Sequence, residues 1–150
     1  MQHPSKPLAK TRQGTLAGSA EQGIHIWRGI PYAAPPVGPL RWRAPQPPAR
    51  WPGVRQADAF SAASWQDIDY CRELGGGDPG RFSEDCLYLN VWAPASAAQP
   101  LPVMVWLHGG GFTIGAGSLP PYDGLALASR DVVVVTVNYR LGQDRKSTRL

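Results

Sequence analysis

A chain of 150 residues, 43% of them hydrophobic, has the length and composition of one globular domain, and no apolar run nears the roughly 18 residues of a membrane span. The formal charge of +4 comes from arginines scattered among Pro and Trp and from the last seven residues, which excludes the basic stripe of a nucleic-acid binder. Two cysteines, Cys71 and Cys86, exclude a disulfide-dense scaffold and a multi-cysteine zinc site, and the sequence carries no other metal-ligand spacing.

Residues 1–10 read as a flexible lead-in, because Pro4 and Pro7 block a helix and no periodic apolar pattern has yet begun. The opening MQHPSKPLAKTRQG has early charge but no apolar core, so no secretory leader is read and the expected compartment is the cytoplasm. His3 falls in this lead-in and has no expected role. Thr11–Ala17 and Ile24–Arg28 read as short strands of an antiparallel hairpin, turned over Gly18–Gly23, with His25 a plain strand residue. From Gly29 to Gly53 the chain is too rich in proline for ladders or helices, so packing of Tyr32, Leu40, Trp42 and Trp51 has to hold it.

Leu87–Trp92 alternates as a strand and stops at Pro94. Val103–Leu107 and Val132–Val137 are continuous runs rich in β-branched residues, the pattern of parallel strands covered on both faces. The 24 residues between them, His108–Asp131, suffice for a crossover, with Asp123–Ser129 as its helix. The expected class is therefore α/β.

Directly after the first buried run stands His108-Gly109-Gly110-Gly111-Phe112. Consecutive glycines allow a sharp turn that presents bare N–H groups, able to stabilise a developing oxyanion, at the end of a strand where open α/β sheets place ligands. The competing reading is a flexible glycine-rich loop. A phosphate cradle is disfavoured, because neither G-x-x-x-x-G-K-[ST] nor G-x-G-x-x-G fits at this position. Glu84 and Asp85 are adjacent carboxylates, which on a strand point to opposite faces and so make a poor acid/base pair. The six Trp residues read as packing anchors, Trp106 lying just before the glycine loop.

Four motifs in order then carry a resemblance. RGIPYAAPPVGPLRW (28–42), SEDCLYLNVW (83–92), HGGGF (108–112) and VNYRLG (137–142) resemble the type B carboxylesterases of the α/β-hydrolase fold, which include the cholinesterase-like proteins. The likeness spans residues 11–142. It implies the N-terminal part of that fold, with a small antiparallel β region followed by the first strands of the central mixed sheet. It also implies that Gly110 and Gly111 donate backbone N–H groups to an oxyanion, each contributing about 3 kcal/mol in the transition state. A third donor would follow the nucleophile, and His108 and Gly109 would be loop residues, His108 ordering the glycines rather than acting as the triad base.

By the same resemblance Arg41 pairs with Glu84, and Cys71 and Cys86 match a disulfide position, with two thiols as the competing state in a reducing compartment. The loop between those cysteines has no Trp, which disfavours choline esters. The expected partner is a small carboxylic ester, with no cofactor, nucleic acid or membrane.

In this fold the triad runs Ser, Asp or Glu, His, yet no serine here lies in G-x-S-x-G; around Ser118 the flanking positions are Ala116 and Pro120. The expected function is therefore the N-terminal fragment of a serine ester hydrolase that supplies the oxyanion loop and is inactive alone. Its rival is a non-catalytic, cholinesterase-like adhesion domain. Residues 143–150 (QDRKSTRL) depart from the family pattern, and DRKSTRL matches one reading frame of a sequencing-adapter oligonucleotide, so this tail is expected to be artefactual.

Overall fold

The computed structural model of the chain describes residues 6–74 and 77–142. The expected tail at 143–150 and His3 lie outside the described residues. Among the described residues eight strands form two mixed sheets, with two short α-helices.

The smaller sheet has the order β1-β2-β5, from β1 (Leu8–Lys10), β2 (Thr15–Ala17) and β5 (Val54–Gln56). β1 runs antiparallel to β2 and β5 parallel to it, so the region expected to be purely antiparallel is mixed. Order also begins earlier than expected, within the lead-in. Proline blocks a helix but is compatible with the start of an edge strand. Here Lys6 Nζ anchors the segment, donating to Gln56 Oε1 at 2.7 Å and Asp58 Oδ2 at 2.8 Å.

The larger sheet has the order β3-β4-β6-β8-β7. Its hairpin joins β3 (Ser19–Glu21) to β4 (Ile24–Pro31), one strand later than the expected pairing of Thr11–Ala17 with Ile24–Arg28. The two-residue turn Gln22-Gly23 has φ of 49° and 79°, the left-handed pair that a tight hairpin demands. β6 (Tyr88–Pro94) takes the centre against β4 and β8 (Val133–Val137), antiparallel to both. β7 (Val103–Leu107) then lies parallel to β8, with Val103 opposite Val133 and Leu107 opposite Val137, as the two apolar runs required.

Trp92 of β6 is fully buried and gathers Ile24, Ile26, Ala128 and Val134 into one core cluster. Trp42 and Trp65, by contrast, are 52% and 64% exposed, so the expectation of six packing anchors fails for them. β7 departs further. All five of its residues are exposed, because β7 is the sheet edge and, among the described residues, one face has only the partial cover of Tyr122 against Trp106, where its composition calls for cover on both.

The crossover from β7 to β8 carries only one helical turn, α2 (Leu125–Ala128), preceded by a 3-10 turn at Pro120–Tyr122. The expected helix over Asp123–Ser129 is shorter: Gly124 and Ser129 are its flanking cap residues, and Asp123 stands outside it, its Oδ1 accepting from Leu125 N–H at 2.9 Å. An unforeseen helix, α1 (Ile68–Glu73), starts where Asp67 Oδ1 accepts from the N–H groups of Asp69 and Tyr70. The side-chain cap satisfies two otherwise orphaned donors.

Candidate functional site

The β7–β8 register decides what meets the glycine loop. With Leu107 opposite Val137, His108 emerges from β7 beside Asn138 and Tyr139, so the HGGGF and VNYRLG motifs abut. His108 is 3% exposed, and its ring stacks on the Tyr139 ring at 4.3 Å with 10° between planes. The Tyr139 hydroxyl donates to the His108 carbonyl.

Carbonyl contacts set the direction of the loop's N–H groups, because the C=O and N–H of a trans peptide point opposite ways. His108 Nδ1 sits 2.9 Å from the Gly109 carbonyl oxygen. That contact needs a proton on Nδ1, and it turns the N–H of Gly110 away from the imidazole. The Gly110 carbonyl accepts from Thr113 N–H at 3.0 Å, Ile114 N–H at 3.2 Å and Thr113 Oγ1 at 2.9 Å. The N–H of Gly111 therefore faces away from the turn. Among the described residues, neither N–H has an acceptor. Two adjacent donors with no internal partner, at the carboxyl end of a parallel strand, can bind a developing oxyanion.

Backbone conformation enforces the arrangement. Gly110 and Gly111 have φ of 111° and 60°. The loop's far end is held by Gln66, whose Oε1 accepts from Gly115 N–H at 2.7 Å while its Nε2 donates to Gly115 O at 2.9 Å. A Cβ on Gly115 would run into the His108 imidazole, so the ring and the loop end close on each other. Gly142 N–H ties down the Phe112 carbonyl at 2.7 Å.

Behind the loop lies a buried polar network. Asn138 Oδ1 accepts from Gly117 N–H at 2.7 Å, Thr136 Oγ1 donates to Gly117 O at 2.7 Å, and Asn90 Nδ2 donates to Thr136 Oγ1 at 2.9 Å. The Tyr32 hydroxyl donates to the Asn138 carbonyl at 2.7 Å, and burial raises its pKa far above the usual phenol range. These bonds join the Pro-rich segment, β6, β8 and the crossover around the loop's base.

Burial also holds the His108 pKa below its ordinary value, only partly opposed by the bond to Gly109 O. The imidazole is neutral at neutral pH, and its Nε2 is buried without a partner. This suits a fixed ring better than a proton carrier.

The remaining sequence-derived candidates lie apart from the loop or serve it indirectly. Arg41 Nη2 is 2.7 Å from Glu84 Oε2 in a half-exposed pair, which fastens the Pro-rich segment to the approach to β6. Glu84 and Asp85 precede β6 rather than sitting on a strand, and Asp85 accepts from the Tyr88 hydroxyl at 2.9 Å. Cys71 and Cys86 are buried thiols with no disulfide between them. Cys71 packs with Ala63, Ile114, Ala116 and Leu119, and Cys86 with Ala33 and Leu87, so separate clusters hold the two sulfurs. Trp106 contacts Tyr122 at 5.3 Å across a cleft of about 240 Å³ that includes Met104, Leu127 and Val134. Among the described residues Ser118 Oγ reaches only the Pro79 carbonyl, at 3.5 Å. His25 packs edge-on against Trp27. Among the described residues no group of three or more His, Cys, Asp or Glu could hold a metal ion, and no helix is long and apolar enough to cross a membrane.

Sequence reasoning passed over Gln66 and Tyr139. Tyr139 stood inside a quoted motif, but nothing local showed its partner; Gln66 lies 49 positions from Gly115 with no motif around it.

A family model described as the carboxylesterase family matches residues 5–143. The chain belongs to the carboxylesterase family. Para-nitrobenzyl esterase of Bacillus subtilis is 50% identical over 136 residues, which is 90% of this chain and 28% of that protein. Phenmedipham hydrolase of Pseudarthrobacter oxydans is 46% identical over 146 residues, 92% of this chain and 29% of that protein. A solved para-nitrobenzyl esterase structure superposes with a TM-score of 0.86 at 50% identity, covering 92% of this chain and 28% of that one. A Geobacillus stearothermophilus carboxylesterase superposes at 0.79 and 45%, covering 90% and 26%. The fold is thus the N-terminal part of an α/β-hydrolase carboxylesterase, and the chain spans less than a third of the length of the curated relatives it matches.

Proposed function

We propose that this chain is the oxyanion-loop portion of a serine carboxylic ester hydrolase, with Gly110 and Gly111 as the backbone donors. The observation that carries the reading is that both N–H groups lack an acceptor among the described residues while the carbonyls opposite them are occupied. In the reaction the ester carbonyl oxygen gains negative charge as a serine attacks, and the two N–H groups offset that charge without reorganising. The nucleophile, acid and base would come from sequence beyond the 150 residues, since no serine here lies in G-x-S-x-G. The chain alone is therefore inactive, and the substrate of the whole protein is a small carboxylic ester.

The test is a chimaera in which residues 6–142 replace the matched segment of the Bacillus subtilis para-nitrobenzyl esterase. The expected result is hydrolysis of a para-nitrobenzyl ester by the chimaera and none by the 150-residue chain. A folded chimaera without activity would overturn the reading and favour a non-catalytic, adhesion-type domain.

A further inference from the structure

We propose that Tyr139 is a positioning residue for the oxyanion loop, setting the direction of the Gly110 N–H through His108. The inference rests on the reading of Gly110 and Gly111 as oxyanion donors.

The chain of contacts is short and each link has one function. The Gly110 N–H points where it does because the Gly109 carbonyl, on the same peptide plane, is held by His108 Nδ1 at 2.9 Å. A peptide flip at this plane would reverse the donor, and glycines on both sides present no steric barrier to one. What prevents the flip is therefore the position of the imidazole. The ring has no hydrogen bond at Nε2, so polar contacts fix it only on one side. Its placement falls to the Tyr139 ring, stacked at 4.3 Å and nearly parallel. The Tyr139 hydroxyl meanwhile grips the carbonyl of His108 itself. One residue thus holds both the side chain and the backbone of His108.

Gly115, at the loop's other end, closes on the same ring, which leaves the imidazole little room except against Tyr139. Tyr139 touches no reacting atom on this account. It differs from a plain core aromatic in that its hydroxyl has a specific acceptor, so Tyr139→Phe separates the stack from the hydrogen bond. Tyr139→Leu removes both.

Two measurements decide the matter. In the 150-residue chain, hydrogen exchange is read at the amides of Thr113 and Ile114, which bond to the Gly110 carbonyl. Val91 and Val135, a β6–β8 pair, report the fold. Exchange at Thr113 and Ile114 is expected to rise about tenfold in Tyr139→Phe and further in Tyr139→Leu, with Val91 and Val135 unchanged in the Phe variant. In the chimaera, Tyr139→Phe is expected to lower kcat about tenfold with KM nearly constant, since a small misplacement of the donor acts mainly in the transition state.

Unchanged exchange at Thr113 and Ile114 in both variants overturns the proposal whether or not the chimaera is active. A parallel rise at Val91 and Val135 in Tyr139→Phe overturns it too, because the residue would then be an ordinary core support. An inactive parent chimaera with loop exchange that responds as expected would sink the oxyanion reading and leave the Tyr139–His108 positioning intact.

Discussion

Replacing each donor glycine with alanine separates backbone strain from steric collision within a single turn. Gly111 has φ of 60° and open space where a Cβ would stand, so Gly111→Ala incurs only the left-handed cost of an L-residue, about 1 kcal/mol. Gly110 has φ of 111°, outside the small left-handed region that alanine can enter, which costs about 2 kcal/mol. Its Cβ would also strike the Ile114 carbonyl, with the Ile114 backbone carbon and Cγ1 each 2.8 Å away. Overpacking against backbone adds about 2 kcal/mol, so Gly110→Ala is expected to lose about 4 kcal/mol.

The assay is urea unfolding followed by tryptophan fluorescence. With an m value of about 2 kcal/mol per molar, the midpoints should fall by about 0.5 M for Gly111→Ala and about 2 M for Gly110→Ala. Equal midpoints, or a larger loss in Gly111→Ala, would refute the loop geometry on which the donor assignment depends.

Other expectations follow from the same geometry. With all five residues of β7 exposed and no charge or proline within the strand, the chain should self-associate at micromolar concentrations, and Val105→Lys should render it monomeric by light scattering; a monomeric parent chain would contradict this. Since burial lowers the His108 pKa, folded and unfolded chains differ in His108 protonation only below its ordinary value of about 6.5. There the unfolded chain takes up the proton first, so the His108 contribution to stability is complete above pH 6.5 and is lost as pH falls through the depressed folded value. His108→Gln should flatten that part of the pH–stability curve, and an unchanged slope would count against a buried neutral ring. Asn138→Ala removes the acceptor of Gly117 N–H and the donor to Ala62 O, leaving a buried donor unsatisfied, and should cost about 3 kcal/mol by denaturant unfolding.

What the sequence revealed and what it hid divide by the range of the interaction. β7 and β8 were legible because parallel strands write themselves as unbroken apolar runs, and the glycine loop because its three adjacent glycines directly follow one of those runs. β1 and β5 were not legible. Each has three residues, too few to display a period, and each exists only because β2 lies between them. The shifted hairpin has the same origin, since a turn over Gln22-Gly23 competes with the longer turn the strand pattern suggested, and the tighter one matches strand twist. The exposure of β7 was unreadable because composition records what a strand is suited to, and coverage depends on what lies beside it. Gln66 and Tyr139 are functionally placed by partners 49 and 31 positions away, a separation at which no local pattern survives.

The site depends on register more than on any single contact. Leu107 opposite Val137 brings His108 against Tyr139, and a slip of one residue would displace that ring by about 3.3 Å and turn successive side chains to the opposite face. The stack, the grip on the His108 carbonyl and the bond from Asn138 to Gly117 would then fail together, because Asn138 and Tyr139 follow β8 directly. Alternation along β8, with Val134 and Thr136 buried and their neighbours half-buried, opposes such a slip. Thr136 strengthens the opposition, since its hydroxyl is committed to both Asn90 and Gly117. The buried polar network behind the loop therefore acts as a register lock, and it explains why a sheet built for apolar cover retains Asn90, Thr136 and Asn138 in its interior. The placement of His108 against Tyr139 and the alignment of the central strands therefore depend on the same register.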